Sequence, residues 1–252
     1  MNSAIQDELW VEPENLPWHS IESITAARIL VVAPHPDDEC LGCGGAIALL
    51  KQQDCDLKLL VITNGTMSHP NSQRFPAAAL QALRESETRT AMAVLGLESE
   101  AITFLRLQDG AVPITGQAFE RAVSQCGDYL TTVKPQVIFL PWRFDPHPDH
   151  RTSWQLLNTA LMRLPFAARR IEYPIWDWDV AQRNKFSEHI DNPITAWRLN
   201  IQNVISQKQQ AISLYHSQVS DLIDDDPDGF RLSAEMVNQF SQPWEVYFEE
   251  IT

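Results

Sequence analysis

Two short apolar runs, each followed at once by a dense polar cluster, constrain the fold of this chain more than any other feature. The first run covers residues 29–33 and leads into the cluster HPDDE at 35–39. The second covers residues 137–140 and leads into the cluster DPHPDH at 145–150. Short continuous apolar runs are typical of strands buried on both faces of a parallel sheet. Because ligands bind at the carboxyl ends of such strands, we expect the two clusters to meet there.

Apolar runs alternate with helical patterns along most of the chain, which predicts parallel strands joined by helices. The expected fold class is α/β, with a Rossmann-like, mostly parallel sheet flanked by helices in a single domain. Residues 28–252 would form this domain, with residues 1–27 as an N-terminal arm packed on its body. The predicted strands are 28–33, 56–63, 102–105, 137–140, 171–178 and 195–201, with 244–248 as a last strand or an extended tail; the predicted helices are 43–53, 77–95, 117–133, 147–164 and 202–219.

The composition argues against several classes of partner. The chain has 252 residues, with 33 acidic against 19 basic side chains and a formal net charge of −14. No basic stripe is evident, so we expect no nucleic acid partner. No apolar run approaches the ~18 residues of a membrane helix, so we expect no membrane insertion. Four cysteines in a chain of this length do not suggest a disulfide framework, which favours a cytoplasmic location. The oligomeric state stays open.

The two polar clusters contain the residue types of a hydrolytic metal site. Such a site needs about three protein ligands and one open position for water. His35, Asp38 and His150 can supply two imidazoles and a carboxylate. Asp37, next to a ligand, is then the natural general base for a metal-bound water that acts as nucleophile. His147 can protonate the leaving amine or stabilise the oxyanion.

Two further acids of the clusters, Glu39 and Asp149, are expected to hydrogen-bond to the ligands and orient them. A simpler interpretation is that the aspartates cap helices: Asp37 or Asp38 the first helix, and Asp149 the helix after the second cluster. One such aspartate alone would more often be a cap. Two clusters that both end strands and that together hold three histidines favour a site.

An iron(II) enzyme is an alternative to a hydrolytic metal site. Two histidines and one carboxylate also form the facial triad of non-haem iron enzymes. The alternation of strands and helices, and the spare pair Asp37 and His147, favour hydrolysis instead. A further alternative is a non-catalytic protein that binds a sugar or nucleotide on the same fold, although such a protein has no need of an intact acid–base pair.

The motifs resemble those of a known family. APHPDDE at 33–39 together with HPDH at 147–150 is similar to the paired motifs of the PIG-L/LmbE-like de-N-acetylases, which remove acetyl groups from N-acetylglucosamine-type sugars with zinc. The resemblance covers most of the chain, since five more segments fit: LGCGG at 41–45, TNG at 63–65, RESETRTAMAVLG at 84–96, LQDG at 107–110 and KQQAISLYHSQ at 208–218.

This resemblance implies a zinc-dependent hydrolase that deacetylates a small N-acetylated amino sugar or its glycoconjugate. Arg84 matches an arginine placed at the substrate site in family members. The other matching positions have the roles given above: His35, Asp38 and His150 as metal ligands, Asp37 as the base and His147 as the acid or oxyanion group. The identity of the sugar stays open.

Two weaker features concern binding. Four residues are expected to stack on or hydrogen-bond to a sugar: Trp142 and Arg143, just before the second cluster, and Trp176 and Trp178. Core packing is an equally good interpretation for each tryptophan. Residues 224–235 match the spacing of a calcium-binding loop, but Pro227 inside the pattern favours a solvated acidic loop.

Overall fold

One sheet of eight strands organises the computed structural model, which describes residues 13–178 and 193–250. The order of the strands across the sheet is β1-β7-β8-β6-β5-β2-β3-β4. The first run of the sequence lies in β2 and the second in β5. The strands are β1 Trp18–His19, β2 Arg28–Ala33, β3 Asp56–Thr63, β4 Ile102–Leu107, β5 Val137–Pro141, β6 Arg169–Tyr173, β7 Ile194–Asn200 and β8 Trp244–Glu250.

Strand β2 lies between β3 and β5 and is parallel to both. Its register runs from Arg28 opposite Asp56 to Ala33 opposite Val61, and Ile29 lies opposite Val137 on the other side. The chain therefore continues from β2 to β3 and β4 in one direction, and returns through β5 and β6 in the other. Only β8 reverses direction, because it pairs antiparallel with β6 and β7. The α/β, mostly parallel sheet predicted from the sequence is confirmed.

Helices cover both faces of the sheet, which explains why its central strands are apolar throughout. In β2, Ile29 and Val31 belong to one core cluster, whereas Leu30 and Val32 belong to the cluster on the opposite face. This alternation follows from the two-residue period of a strand. The helices are α1 Asp38–Gln52, α2 Ala77–Val94, α3 Gly116–Val133, α4 Pro148–Met162, α5 Ile205–Ser213, α6 His216–Val219 and α7 Ala234–Phe240.

Helix α1, which follows the first polar cluster, packs very closely on the body. A Cβ atom added at Gly42 would lie 2.2 Å from the Tyr173 ring, and one added at Gly45 would lie 2.5 Å from Ile201. Tyr173 also donates a hydrogen bond from its hydroxyl to the Val32 carbonyl oxygen at 2.7 Å. The glycines therefore allow the helix to approach β6 and the chain after β7.

A buried ion pair fixes the same helix from its far side. Lys208 is 1% exposed, and its Nζ donates to the Leu41 carbonyl oxygen and to Glu245 Oε1, both at 2.7 Å. The Glu245 carboxylate also accepts the backbone N–H groups of Gly45 and Ala46 at 2.7 and 2.8 Å. The pair joins α5 and β8 to the middle of α1, and so holds in place the helix that carries part of the first cluster.

The structure differs from the predicted elements in several places, of which β1 at Trp18–His19 is one that was not predicted. Helix α1 begins at Asp38 rather than at 43, because the polar cluster itself forms its first turn. The strand predicted at 171–178 ends at Tyr173, and Pro174 separates it from a 3-10 turn at Trp176–Trp178. The helix predicted at 202–219 is divided into α5 and α6, and α7 was not predicted.

The part of the predicted arm that the structure describes is attached to the sheet edge. Strand β1 pairs in parallel with β7, and the Arg198 guanidinium lies 3.8 Å from the centre of the Trp18 ring. Residues 1–12 of that predicted arm lie outside the described residues.

Within the described ranges, none of the helices combines the length and the apolar character that crossing a bilayer requires. All four cysteines, Cys40, Cys43, Cys55 and Cys126, are buried free thiols.

Candidate active site

The two polar clusters meet where β2 and β5 lie side by side. His35, Asp37 and Asp38 follow the end of β2, while His147 and His150 lie at the start of α4, just beyond β5. The order of the strands reverses at this point of the sheet, and in open α/β sheets such a switch point forms a crevice for ligands.

Three donor atoms converge in this crevice. His35 Nδ1 lies 3.1 Å from Asp38 Oδ2, His150 Nε2 lies 3.2 Å from the same oxygen, and the two ring nitrogens are 3.3 Å apart. Ligand atoms at about 2.0–2.1 Å from a tetrahedral ion are about 3.3 Å from one another. The donor set and its spacing therefore fit a divalent metal ion of the zinc type.

Charges within this trio favour a cation between its members. Burial opposes ionisation of Asp38, but the adjacent His150 and His35 hold the pKa of its carboxyl well below the usual range. Burial likewise opposes protonation of His150, yet Asp38 and Asp145 raise its pKa to about 9. Burial opposes protonation of His35 as well, yet Asp109, Asp149 and Asp38 raise its pKa. The ionised carboxylate thus favours positive charge at the two imidazoles, and a metal ion competes with protons for the same atoms.

The outer sides of the two imidazoles face carboxylates. His35 Nε2 lies 3.2 Å from Asp109 Oδ1 and 3.3 Å from Asp149 Oδ2. His150 Nδ1 lies 3.4 Å from Asp145 Oδ2. Such carboxylates fix the tautomer and orientation of metal-binding histidines.

Sequence reasoning assigned no role to Asp109 or Asp145. Asp145 stands within the second cluster, and Asp109 lies in the motif LQDG, directly after β4. Both signals were therefore present in the sequence. Asp149, which was expected to orient a ligand, also accepts the backbone N–H of Gly110 at 2.7 Å.

Asp37 combines burial with a rare backbone conformation. It is 6% exposed, and its φ of 119° lies in a region that only glycine adopts readily. Such outliers cluster at functional sites and cost about 1–3 kcal/mol. Burial raises the pKa of its carboxyl to about 8, despite the opposing charge of Arg84. A carboxyl that titrates near neutral pH is suited to accept and return a proton.

Glu39 forms a hydrogen bond to the backbone of Asp37. Its Oε2 accepts the backbone N–H of Asp37 at 3.2 Å, and its Oε1 accepts a short hydrogen bond from the Tyr215 hydroxyl. Glu39 is fully buried, and burial raises its pKa to about 7. Glu39 therefore contacts the backbone of Asp37 and the side chain of Tyr215, the residue before α6. It does not contact the three converging donor atoms.

His147 lies beside the trio with one nitrogen already used. Its Nδ1 accepts the backbone N–H of Asp149 at 3.2 Å, so a neutral ring carries its proton on Nε2. Burial and the neighbouring imidazoles of His150 and His35 lower the pKa of His147 to about 4. The ring is therefore neutral near pH 7 and offers an N–H donor.

These groups line a cleft of about 400 Å³. The polar lining includes His35, Asp37 and Asp109 together with Arg84. The apolar lining consists of larger side chains: Met67, Ile175, Trp176, Phe230 and Leu232.

The structure places Trp142 and Arg143, which were expected to contact a substrate, outside the lining of this cleft. Trp142 is 2% exposed, and its ring packs 4.4 Å from the ring of Phe248. Arg143 forms ion pairs with Glu172 and Glu250. The partners of both side chains belong to β6 and β8, so both side chains point towards those strands rather than towards the crevice.

The acidic segment within residues 224–235, for which a solvated loop was favoured over a calcium site, is directed at the loop after β3. Asp225 Oδ2 accepts the backbone N–H groups of Gln73 and Arg74 at 2.8 and 2.9 Å, and Asp226 Oδ2 accepts that of Asn71 at 2.8 Å. These carboxylates therefore attach the segment to that loop, which is consistent with a structural role.

Three comparisons relate the chain to known proteins. The PIG-L family model, described as GlcNAc-PI de-N-acetylase, matches residues 30–161. A probable N-acetyl-alpha-D-glucosaminyl L-malate deacetylase 2 of Bacillus anthracis is 25% identical over 228 residues, which cover 87% of this chain and 95% of that protein. The diacetylchitobiose deacetylase of Thermococcus kodakarensis is 28% identical over 127 residues, covering 49% of this chain and 45% of that protein.

Among solved structures, the N,N'-diacetylchitobiose deacetylase of Pyrococcus horikoshii has a similar fold. The TM-score is 0.60 with 22% sequence identity, and the match covers 88% of this chain and 79% of that one. At this identity the likeness concerns the fold alone.

Proposed function

The chain belongs to the PIG-L family, as its paired motifs predicted, and from this premise we propose that it is a metal-dependent N-deacetylase. Its substrate is a small N-acetylated amino sugar or a conjugate of one, the class named for its relatives. The single observation that carries the proposal is the convergence of three metal-binding atoms beside Asp37 in an open cleft.

His35, Asp38 and His150 would hold the metal, through Nδ1, Oδ2 and Nε2 respectively. The metal would supply Lewis-acid polarisation of the acetyl carbonyl and would make a water molecule more acidic. Zinc is the ion that this donor set favours, and iron(II) is the alternative. Asp109, Asp145 and Asp149 would keep the imidazoles in orientation.

Asp37 is the general base in this proposal. Its carboxylate takes a proton from the attacking water as the oxygen bonds to the acetyl carbon. The same carboxyl then returns the proton to the nitrogen as the C–N bond breaks, which releases acetic acid and a free amine. The acid keeps the second proton of the water and gives it to solvent or to the amine as it ionises to acetate. A pKa raised to about 8 supports both halves of this role, because the group binds and releases a proton readily near neutral pH.

His147 stabilises the negative charge that develops on the acetyl oxygen. Its Nε2–H is the free donor, since Nδ1 accepts a backbone N–H, and its lowered pKa keeps the ring neutral. These two observations favour the oxyanion role over the acid role that the sequence left open. Removal of one donor of this kind typically costs about 10²–10³ in kcat.

Two smaller parts of the proposal stay predictions. Glu39 acts on the base, since it holds the Asp37 backbone in its unusual conformation. The enzyme works in the cytoplasm, where four unpaired thiols remain reduced.

Acetate release from a panel of N-acetylglucosamine derivatives tests the proposal. Metal-replete protein should release acetate from at least one member, and a chelator should abolish the release until zinc is restored. Asp37→Asn should lose about 10²–10⁴ in kcat while it retains bound metal. The exposed Asp128→Asn in α3 is the matched control, because it makes the same chemical change far from the cleft.

Three results would contradict these roles. Full activity of Asp37→Asn would show that Asp37 is not the base. Loss of metal from that variant would show that Asp37 is a metal ligand. Acetate release that resists the chelator would show that the reaction does not need a metal. Absorption spectra of anaerobically purified protein distinguish zinc from iron.

A further inference from the structure

Two aromatic rings, those of Trp176 and Phe230, form part of the apolar lining of the cleft. Trp176 and Phe230 meet edge to face, with ring centres 5.5 Å apart at an interplanar angle of 65°. The Trp176 ring also lies 6.3 Å from that of His147, nearly parallel to it at 26°. The aromatic surface therefore begins directly beside the group that faces the scissile amide.

Backbone hydrogen bonds hold both aromatic residues in place. The Trp176 N–H donates to the buried carboxylate of Asp145 at 3.1 Å. The Phe230 N–H donates to the Ser68 carbonyl oxygen at 2.6 Å. A surface held by such bonds loses little conformational entropy when a ligand stacks on it.

The charge of the cleft disfavours an anionic ligand beside these rings. Among the cleft-lining residues that the structure describes, Arg84 is the one arginine or lysine. It is 3% exposed, and both of its terminal nitrogens are engaged by the Gly65 and Pro36 carbonyl oxygens and by Asp37. Asp109 adds a further acid to the lining.

Gln218 adds a polar contact that suits a hydroxyl group. Its Nε2 donates to Ser217 Oγ at 3.0 Å, while its Oε1 has no hydrogen-bond partner although the residue is fully buried. Ser217 Oγ itself donates to Glu87 at 2.6 Å, which fixes the orientation of the Gln218 amide. Gln218 lines the cleft, and a hydroxyl that reaches this buried acceptor can pair with it, whereas a carboxylate, which only accepts, cannot.

We propose that the amino sugar is joined to a neutral group with a flat apolar face, either a second pyranose ring or an aromatic ring, which stacks on Trp176 beside Phe230. This inference rests on the proposed function and names the substrate class of that site. It also predicts that this cleft discriminates against a dicarboxylate such as the malate named for the Bacillus anthracis relative.

Four substrates test the inference with metal-replete enzyme: free N-acetylglucosamine, N,N'-diacetylchitobiose, a phenyl N-acetylglucosaminide and N-acetylglucosaminyl malate. We expect kcat/KM for the better of the two neutral conjugates to exceed that for the malate conjugate by about tenfold or more. The two neutral conjugates distinguish a sugar ring from an aromatic ring. Equal or faster turnover of the malate conjugate would overturn the inference.

Calorimetric binding of the same compounds separates failure of the inference from failure of the proposed function. If no compound releases acetate, the deacetylase proposal is wrong. Tighter binding of the neutral conjugates would even then support the stacking surface, and tighter binding of the malate conjugate would refute it.

Variants of Trp176 give a second test. The quantity measured is the ratio of kcat/KM for two substrates, which does not depend on the fraction of enzyme that is folded. Trp176→Ala should lower the preference for the favoured neutral conjugate over free N-acetylglucosamine by about three- to tenfold, whereas Trp176→Phe should largely keep it. Trp18→Ala, at another partly exposed tryptophan on the far strand β1, should leave this ratio unchanged. A ratio unaltered in Trp176→Ala would exclude stacking there.

A charge placed at the rim should change the specificity. Met67 lines the cleft and is 49% exposed, so a lysine fits there without disturbing the core. Met67→Lys should raise turnover of the malate conjugate relative to the neutral conjugates by about tenfold. No change in that ratio would show that charge does not govern the choice of substrate.

Discussion

Replacement of Arg84 should move the pH dependence of catalysis. Arg84 belongs to α2, and its guanidinium connects two loops at the sheet edge: Nη1 donates to the Gly65 carbonyl oxygen at 2.8 Å, and Nη2 donates to that of Pro36 at 2.5 Å. Nη2 also lies 3.3 Å from Asp37 Oδ2. The residue expected to contact substrate therefore contacts the proposed base.

The size of the effect follows from this distance. Two unit charges 3.3 Å apart attract by about 5 kcal/mol at an effective dielectric constant of about 20. Solvent and neighbouring charges offset part of this energy, and an opposite charge at such range typically shifts a pKa by about 1–3 units. The positive charge stabilises the ionised form of Asp37, so its removal raises the pKa of that carboxyl.

The assay is the pH profile of kcat/KM on the best substrate of the panel. Because the base must be ionised, activity rises with pH through its pKa, and Arg84→Gln should move this acidic limb to higher pH by about 1–3 units. Arg84→Lys keeps the charge and should shift the limb less. Arg89→Gln is the control, since Arg89 lies on the same helix but stacks on Phe104 instead.

A profile that is lowered at every pH without a displaced limb would refute this reasoning. Arg84 would then act on the fold or on the substrate rather than on the ionisation of Asp37. Thermal unfolding and metal content of each variant separate these cases from loss of the folded protein.

Three further predictions concern the scaffold. Lys208→Met leaves the Glu245 carboxylate buried without its cation, so the free energy of unfolding in urea should fall by about 3–5 kcal/mol, and adding Glu245→Gln should restore part of it. Gly42→Ala should lower the same free energy by about 1–3 kcal/mol despite the helix propensity of alanine, because the new Cβ overlaps the Tyr173 ring; an unchanged urea midpoint would contradict the close packing. Trp142→Phe should change KM by less than about twofold in steady-state kinetics, because the ring lies in the core outside the cleft. A larger change in KM would show that Trp142 contributes to substrate binding.

The sequence predicted the elements whose evidence is local. The strand at 28–33 and the helix Ala77–Val94 follow from short apolar runs and from apolar residues at helical spacing. The first turn of α1 was missed because it consists of the polar cluster itself, which has no apolar period. The start of that helix at Asp38 depends on the positive φ of Asp37, which no pattern of side chains reveals.

Non-local arrangement accounts for most of the other differences. Strand β8 comes last in the chain but lies between β6 and β7, and its place is set by packing rather than by any nearby residue. Trp142 and Arg143 illustrate the same limit at the site. Their neighbours in sequence line the cleft, whereas their own partners, Phe248 and Glu172, come from strands that follow much later.

The acids of the two clusters are not interchangeable, because their environments set their pKa values apart. Asp38 is held ionised by two imidazoles, whereas burial raises the pKa of Asp37 to about 8 and that of Glu39 to about 7. A fixed anion suits a metal ligand, and a carboxyl that titrates near neutrality suits a base. Neither depth nor position in the sequence explains the separation, since Asp37 and Asp38 are adjacent in the chain and both are buried. What distinguishes them is the partner each one faces: histidines for Asp38, and a single arginine for Asp37.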